Sequence, residues 1–370
     1  MHTTVALIFG GRSGEHGISC ITAGGILSAI DRDRFTVIPI GIAEDGRFRL
    51  VSDDPKQWQI RDSAAPSVPM TGDEILMPTR ARRDGQPNEL RVIRDGRVEH
   101  CADVDVFFPV LHGPNGEDGT IQGLFDLLDL PYVGSGVLGS SAAMDKDVTK
   151  RLLQQAGIRV ADGVVVHADT WDERRAELLP AIQELPLPLF IKPARAGSSL
   201  GVSRIENLSA LDQALADAFA VDPKVLVEAG INGREVECGA LRIVPGEPVR
   251  TTLPGEVSVG EDLDFYDYGS KYFGKGTVSI TVPAAIPDEV AEQVRAIAAR
   301  TFDALDLESL ARIDVFVEEN GQVTVNEVNT MPGFTPFSMF PVLWEHMGTS
   351  YTDLITLLIE SALNKRVGLR

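Results

Sequence analysis

The chain has 370 residues, of which 44% are hydrophobic and 24% are charged, a composition typical of folded globular proteins and not of disordered ones. This length predicts two or three domains. With 34 basic and 54 acidic residues the formal net charge is −20, which disfavours nucleic acid and anionic membrane surfaces as partners.

Apolar runs and cysteines narrow the class of protein further. No uninterrupted apolar run approaches the roughly 18–20 residues that a membrane helix needs. The N-terminus has no basic region ahead of its short apolar stretch, so we expect a first β-strand and a cytoplasmic protein. The 3 cysteines share no C-x-x-C spacing, which favours buried free thiols over disulfides or a structural zinc.

Residues 1–140 alternate strand-like and helical patterns. Residues 5–9 and 37–42 are predicted strands that flank an amphipathic helix. A further buried strand is predicted at 104–111 and a helix at 121–128. This order predicts a doubly wound, Rossmann-like α/β domain with a parallel sheet.

Residues 52–100 interrupt this domain. They carry many turn residues and little periodicity, which predicts an insertion. A small hairpin is predicted at 90–98. The sequence assigns this segment no role.

A second unit is predicted over residues 141–231. A helix at 145–156 precedes two strands, 188–192 and 202–205, which are joined by a glycine- and serine-rich loop. A helix and another strand follow. This arrangement predicts a small α+β domain of the kind that clasps a nucleotide.

The third predicted unit covers residues 232–370. Strands are predicted at 236–244, 277–282, 311–318 and 322–328, with a long amphipathic helix between the second and third. A loop is predicted at 260–276, and two helical segments close the chain.

The strongest inference from spacing concerns the last two strands. Asn320–Gly321 lies between alternating apolar runs and predicts a two-residue hairpin turn, because both residue types tolerate positive φ. That turn places Asp314 opposite Glu327 and Arg312 opposite Asn329, all on one face. Opposed carboxylates repel each other, so a positive charge is expected between them.

Two interpretations of this face remain open. Two carboxylates with an amide oxygen, and no His or Cys, suit Mg²⁺ or Mn²⁺ better than zinc. The alternative is an exposed acidic hairpin face on which Arg312 is the counter-ion.

The loop at 196–201 consists of small and hydroxyl residues between two predicted strands. Its backbone N–H groups are suited to a polyphosphate, and Lys192 and Lys146 precede it. The loop lacks the P-loop spacing. A glycine-rich hairpin without a ligand is an equally good interpretation of the loop alone.

Several passages together resemble the ATP-grasp superfamily, and specifically the D-alanine–D-alanine ligases. The similarity extends from about residue 5 to 360 in the order expected for that family. The matching passages are GGRSGEH at 10–16, HGPNGEDGTIQG at 112–123, YVGS at 132–135, GSS at 197–199, YDY at 266–268 with Lys271 and Tyr272, RID at 312–314 and NEVNTMPGFT at 326–335.

The resemblance implies a three-domain α/β (α+β) ATP-grasp fold with ATP between the central and C-terminal domains. It implies that ATP phosphorylates the carboxylate of one D-alanine and that the amine of a second attacks the acyl phosphate. A closing loop excludes water. The implied partners are ATP, two Mg²⁺ ions or Mn²⁺, D-alanine and a second copy of the chain in a homodimer.

The resemblance also implies roles for individual residues. The reaction would depend on Glu15, Ser198, Tyr272, Arg312 and Gly333. The amino acid substrates would be bound by His112, Lys271, Ser338 and Met339. ATP would be bound by Lys146, Lys192, Ser199, Glu228, Ala229, Ile231 and Glu235, and the metal by Asp314, Glu327 and Asn329.

Ordinary structural roles stay open for several of these residues. Glu15 also suits the N-terminus of a helix, where the dipole favours an acid. Independently of Glu15, His112 suits a structural loop residue, Tyr272 suits a core aromatic and Ser198 suits a turn residue. Each lysine would be a solvated surface charge.

Other activities also remain open. A D-alanine–D-lactate ligase would share the fold, but relatives of that kind lack the loop tyrosine that is present here as Tyr272. The Rossmann-like opening also suggests a nicotinamide-dependent dehydrogenase, although its glycines do not follow G-x-G-x-x-G. A non-catalytic nucleotide sensor is disfavoured because Arg312, the metal ligands and both lysines are present.

Overall fold

The computed structural model describes residues 2–61, 64–79, 88–259 and 278–365. These residues form three β-sheets that follow one another along the chain. The N-terminal sheet has the strand order β6-β5-β4-β3-β2-β1-β7. Its strands are β1 (Thr3–Gly10), β2 (Phe35–Ile42), β3 (Phe48–Leu50), β4 (Glu74–Leu76), β5 (Asn88–Arg94), β6 (Arg97–Val104) and β7 (Val106–Pro109).

The parallel part of this sheet is the one that the sequence predicts. Strands β2, β1 and β7 are parallel neighbours. Residues 5–9 of β1 are fully buried because helices cover both faces of a parallel sheet, which explains their continuous apolar run. The helices of this region are α1 (His16–Ala29) and α2 (Thr120–Leu127).

The predicted insertion is an antiparallel extension of the same sheet. Strand β3 pairs with β2, and β4, β5 and β6 follow in order, each antiparallel to the strand before it. The predicted hairpin is present as β5 and β6. Its turn residues, Asp95 and Gly96, have φ values of 50° and 74°, as a two-residue turn with the right-handed twist requires.

The central sheet is antiparallel, with the order β10-β9-β11-β8. Its strands are β8 (Gly163–His167), β9 (Leu189–Pro193), β10 (Ser203–Ile205) and β11 (Lys224–Ala229). The helices before and within it are α3 (Val137–Met144), α4 (Lys146–Gln155), α5 (Trp171–Gln183) and α6 (Leu211–Phe219).

The C-terminal sheet has the order β15-β14-β12-β16-β17, with β13 beside β12. Its strands are β12 (Gly233–Arg242), β13 (Arg250–Thr251), β14 (Gly255–Val259), β15 (Val278–Thr281), β16 (Ser309–Glu318) and β17 (Val323–Asn329). The helices are α7 (Asp288–Ala304), α8 (Met339–His346) and α9 (Tyr351–Asn364).

The last helix returns to the first sheet. Leu354, Leu358 and Ile359 of α9 are fully buried in the same apolar cluster as Leu7 and Phe9 of β1. Their spacing of about one helical turn gives α9 a single apolar face. This packing fixes the C-terminal sheet against the N-terminal one. Within the described ranges, no helix is long and apolar enough to cross a membrane.

Candidate active site

A cavity of about 560 Å³ lies where loops from the three sheets meet. It collects side chains that are more than 300 residues apart in sequence. Most of the residues predicted for catalysis or amino acid binding line it: Glu15, His112, Ser198, Arg312, Gly333, Ser338 and Met339. It is also lined by Lys146, which was predicted to bind ATP, and by Glu327 and Asn329, which were predicted to bind the metal.

Glu15 lies at the N-terminus of α1, but its carboxylate does not cap that helix. It accepts a hydrogen bond from the hydroxyl of Ser198 in the central sheet's loop. A side chain at Gly113 would collide with this carboxylate, and one at Gly197 would come within 2.9 Å of it. Glu15 thus has the helix-terminal position of the structural alternative, and in addition two glycines and a serine are arranged around its carboxylate.

The glycine- and serine-rich loop has an unusual backbone. Ser198 and Ser199 have φ values of 50° and 57°, which cost non-glycine residues about 1–2 kcal/mol each. The loop is held at its start, where Arg195 donates to the buried Asp222 through Nε (3.0 Å) and Nη2 (2.6 Å). Asp222 also accepts the backbone N–H of Arg195 at 2.8 Å. These bonds stabilise the loop in this conformation.

His112 is buried between the N-terminal sheet and the loop after β17. Its Nδ1 lies 2.9 Å from the carbonyl oxygen of Met331 and its Nε2 lies 3.1 Å from Thr22 Oγ1. Burial lowers the pKa of His112, so the neutral ring is favoured, with Nδ1 donating to the carbonyl.

Glu117 is a site residue that the sequence analysis did not single out. Its carboxylate accepts the backbone N–H of Gly113 at 3.0 Å and that of Met331 at 2.9 Å. Burial raises the pKa of Glu117 to about 7. Glu117 binds the backbone N–H of Met331 and His112 binds its carbonyl oxygen, so the two side chains fix the backbone at Met331. The signal for Glu117 was its position in the HGPNGEDG passage.

The predicted phosphate-binding lysines belong to a larger group, here called the lysine cluster: Lys146, Lys150 and Lys192, of which Lys150 and Lys192 contact Glu228. Lys146 Nζ donates to the carbonyl of Ala196 at 2.7 Å. Lys150 Nζ lies 2.9 Å and Lys192 Nζ 3.1 Å from the Glu228 carboxylate. Burial opposes the charge of Glu228, but the two lysines lower its pKa to about 2. Sequence analysis missed Lys150.

The residues predicted to contact adenine and ribose lie at the end of β11 and in β12. Glu228 and Ala229 are the last residues of β11, Ile231 lies in the connection and Glu235 in β12. The side chain of Glu228 is buried between two lysines. These positions border the lysine cluster and lie outside the cavity lining.

The hairpin prediction is correct in which residues face each other and wrong in the length of the turn. Glu318 pairs with Gln322 through a backbone hydrogen bond of 2.9 Å, so the loop has three residues and not two. Asn326 is then an extra residue in β17, and this bulge restores Asp314 opposite Glu327 and Arg312 opposite Asn329. Without the bulge, Glu327 would face the core as Val323 and Val325 do.

Arg312 lies among acids at this end of the sheet. It donates to Asp314 through Nε and Nη2, each at 2.7 Å, and its Nε lies 2.8 Å from Glu237. Burial opposes this charge, yet Asp314 and Glu237 raise the pKa of Arg312. Asn329 Nδ2 donates to Asp314 at 2.9 Å.

The donor atoms at this end of the sheet determine which metal could bind there. No group of three or more His, Cys, Asp or Glu side chains that could hold a metal ion occurs among the described residues. Asp314 and Glu327 face each other with the Asn329 amide beside them. Two carboxylates and an amide suit a hard divalent ion that takes its remaining ligands from water and phosphate. The residues therefore fit a metal that arrives with a nucleotide.

The loop after β17 carries the remaining predicted substrate residues. Ser338 Oγ accepts the Thr335 backbone N–H at 3.1 Å, which closes a turn beside Gly333. Met339 begins α8 and is buried against Val257. Lys271 and Tyr272, predicted for the closing loop, lie outside the described residues.

The segment that the sequence left without a role forms one wall of the cavity. Trp58 and Ile60 line it beside α1, and Gly24 of α1 has room only for hydrogen because a Cβ would lie 2.9 Å from Trp58. His16 Nε2 accepts the Val68 backbone N–H at 3.0 Å. No local pattern in the sequence indicates this long-range packing.

Comparison with known proteins identifies the family. The family profile described as D-ala D-ala ligase N-terminus matches residues 4–135, and the one described as D-ala D-ala ligase C-terminus matches residues 152–360. The chain belongs to the D-alanine–D-alanine ligase family. The dehydrogenase alternative is therefore wrong.

Full-length relatives of this ligase family are similar to the chain. A D-alanine–D-alanine ligase from Kineococcus radiotolerans is 47% identical, covering 99% of this chain and 98% of its own. One from Rhodococcus opacus is 46% identical, with 100% and 99% covered.

Solved ligase structures confirm the ATP-grasp fold. The D-Ala:D-Ser ligase VanG from Enterococcus faecalis has a TM-score of 0.79 and 32% identity, covering 98% of this chain and all of its own. The D-alanine–D-alanine ligase from Coxiella burnetii has a TM-score of 0.79 and 31% identity, covering 98% and 94%.

Proposed function

We propose that the chain joins two D-alanines to D-alanyl-D-alanine, with conversion of ATP to ADP and phosphate, for peptidoglycan synthesis. One observation carries the proposal. A single cavity is lined by an acid for an amino group (Glu15) and a lysine for phosphate (Lys146). It is also lined by an arginine (Arg312) and by one of the two opposed carboxylates (Glu327).

The first D-alanine would be oriented by its ammonium group. The Glu15 carboxylate is the acceptor that we assign to it, and Ser198 fixes that carboxylate through its hydroxyl. His112, kept neutral by burial, lies near the proposed position of the substrate carboxylate. Its one N–H is donated to the Met331 carbonyl, so the neutral ring fixes the loop after β17 beside that position.

Phosphoryl transfer would follow at the boundary of the lysine cluster. An oxygen of the D-alanine carboxylate attacks the γ-phosphorus, the bond to the β-γ bridging oxygen breaks, and ADP leaves. Lys146, Lys192 and the backbone N–H groups of the loop at 196–201 would hold the phosphates. Ser199, Ala229, Ile231 and Glu235 are assigned to the rest of the nucleotide.

Asp314, Glu327 and Asn329 would hold divalent ions at this point. Mg²⁺, or Mn²⁺ in its place, would neutralise phosphate charge in the transition state of phosphoryl transfer. The proposed number of two ions comes from the family resemblance. Lys146 Nζ, 3.7 Å from the Glu327 carboxylate, links this site to the lysine cluster.

The amine of the second D-alanine then attacks the carbonyl carbon of the acyl phosphate. Its nitrogen loses a proton, and phosphate leaves as the peptide bond forms. Arg312 and the Gly333 backbone N–H are assigned to the tetrahedral oxyanion, where one donor is typically worth about 3–4 kcal/mol. Ser338 and Met339 are assigned to the second substrate, and Lys271 and Tyr272 to the loop that excludes water.

The identity of the second substrate is the point at which related activities differ. VanG is named a D-Ala:D-Ser ligase, and its structure matches this chain along its whole length. A D-alanine–D-lactate ligase would use the same acyl phosphate with a hydroxyl nucleophile. We assign D-alanine because the full-length relatives with 43–47% identity are named for it.

The assay supplies ATP, Mg²⁺ and D-alanine, alone or with D-serine or D-lactate, and measures ADP release and product mass. We expect D-alanyl-D-alanine as the main product, formed by a homodimer that acts in the cytoplasm. Ester formation with D-lactate, without dipeptide from D-alanine, would overturn the proposal. Gel filtration with light scattering tests the dimer separately.

A further inference from the structure

Glu237 is a third acid beside the proposed metal ligands, and no role has been assigned to it. It lies on β12, directly opposite Asp314 of β16, which is itself opposite Glu327 of β17. Directly paired residues share a face of the sheet. The three acids therefore form a row across three neighbouring strands, here called the carboxylate row.

Burial makes this row costly without a cation. The side chains of Glu237 and Asp314 are only 5% and 3% exposed. Like charges directly opposite each other destabilise a sheet. Arg312 offsets this repulsion, since its guanidinium contacts both acids at 2.7–2.8 Å.

Asp314 is expected to interact both with Arg312 and with the proposed metal ion. In this structure both of its carboxylate oxygens accept hydrogen bonds from Arg312. The proposed metal site needs one of those oxygens, while the proposed oxyanion contact needs Arg312 to stay in the cavity. If Asp314 were its only anchor, metal binding would leave the buried guanidinium without an acid, which is costly.

We propose that Glu237 is a positioning residue that retains Arg312 in the cavity when Asp314 turns to the metal. This inference rests on the proposed metal site and deepens it. Glu237 lies 2.8 Å from Nε of Arg312, the nitrogen that now donates to Asp314, so this N–H has a second acid beside it when Asp314 turns away.

Two other roles would give different results. Glu237 could bind the ion itself, or it could strengthen metal binding only through its negative charge. In both cases its effect on the metal would not depend on Arg312. A double-mutant cycle separates these roles from the proposed one.

The experiment measures Mn²⁺ binding by electron paramagnetic resonance in the presence of a non-hydrolysable ATP analogue. The proteins are the wild type, Glu237→Gln, Arg312→Met and the double variant. Glu256→Gln is the matched control, because Glu256 pairs with Arg234 in the same sheet and does not line the cavity. Thermal unfolding verifies that each variant is folded.

We expect Glu237→Gln to weaken Mn²⁺ binding about tenfold in the wild-type background and less than twofold in the Arg312→Met background. We also expect a lower kcat with an unchanged KM for ATP. An equal loss in both backgrounds, or no loss in either, would overturn the inference. If Arg312→Met does not fold, Arg312→Lys replaces it, since lysine keeps the charge but cannot bridge two carboxylates.

Failure of the metal site itself gives a different result. If the wild type binds no Mn²⁺ with the nucleotide analogue, the proposed metal site and the inference about Glu237 are both wrong. If the wild type binds Mn²⁺ and Glu327→Gln does not, the site stands, and the Glu237 cycle decides the inference alone.

Discussion

The carboxylate row and the lysine cluster are opposite solutions to the burial of charge. In the described part of the chain, the row brings Glu237, Asp314 and Glu327 close to the charge of Arg312. The lysine cluster places Lys150 and Lys192 against Glu228, with the charge of Lys146 close to Lys150. Both lie in one part of the molecule and meet where Lys146 approaches Glu327.

This difference supports the ligand proposed above. Buried charge of one sign is stabilised by a ligand of the other. The row consists of acidic side chains and the cluster consists mainly of basic ones. A divalent ion bound to a polyphosphate supplies both at once, which matches the proposed metal–ATP complex. The variants below test the metal-binding side chains and the phosphate-binding side chains separately.

The largest effect is expected when the row loses a metal ligand. Glu327→Gln should lower kcat about 10²–10³-fold, because it removes a charge that the proposed ion requires while keeping the size of the side chain. The measurement is ADP release at several Mg²⁺ concentrations. Glu318→Gln is the control, since Glu318 lies on the same hairpin and contacts Arg159 outside the cavity. A near-normal rate at low Mg²⁺ would contradict the assignment.

The two buried lysines of the cluster should differ from each other. Lys192→Met should raise the KM for ATP about 10- to 100-fold, the value of a lost hydrogen bond to a charged group. Lys150→Met should act mainly on stability, by about 1–3 kcal/mol, because it removes one partner of the buried Glu228. Steady-state kinetics and urea unfolding measure the two effects. Equal changes in KM would show that the lysines are not specialised.

Glu15 belongs to neither group, and its position depends on backbone space. Gly113→Ala should raise the KM for D-alanine about tenfold by displacing the Glu15 carboxylate. Gly96→Ala is the control, because Gly96 also has a positive φ of 74° but has nothing near the added methyl. If both variants lose activity equally, backbone strain and not the collision is responsible.

The smallest effect concerns the pH dependence of stability. Burial raises the pKa of Glu117 from 4.5 to about 7, so the folded protein binds more protons than the unfolded chain between these values. Its contribution to stability therefore falls as pH rises through that window. Thermal unfolding at pH 5 and pH 8 should show a smaller loss of Tm on raising the pH for Glu117→Gln than for the wild type. Parallel loss in both proteins would show that another group titrates.

The sequence predicts best what depends on local patterns. The continuous apolar run Val5–Phe9 with its following glycines predicted β1, and spacing predicted that Asp314 lies opposite Glu327. The latter succeeded although the turn is one residue longer, because the bulge at Asn326 compensates. The sequence did contain a sign of this bulge. Val325 follows Val323 after two residues, as in a regular strand, whereas Val328 follows Val325 after three.

Long-range packing accounts for what the sequence did not predict. Glu237 joins the carboxylate row through the pairing of β12 with β16, which no turn connects. Lys150 reaches Glu228 from another element, and Trp58 reaches the cavity only because Gly24 leaves space for it. Such contacts follow from how the sheets pack and not from any local periodicity.

The acyl phosphate is the central claim, and isotope transfer tests it most directly. D-alanine labelled with ¹⁸O in both carboxylate oxygens is incubated with the protein, ATP and Mg²⁺, and the released phosphate is analysed by mass spectrometry. The account predicts one ¹⁸O in each phosphate, because the carboxylate oxygen that attacks phosphorus leaves with it. Unlabelled phosphate, or release of AMP in place of ADP, would contradict it.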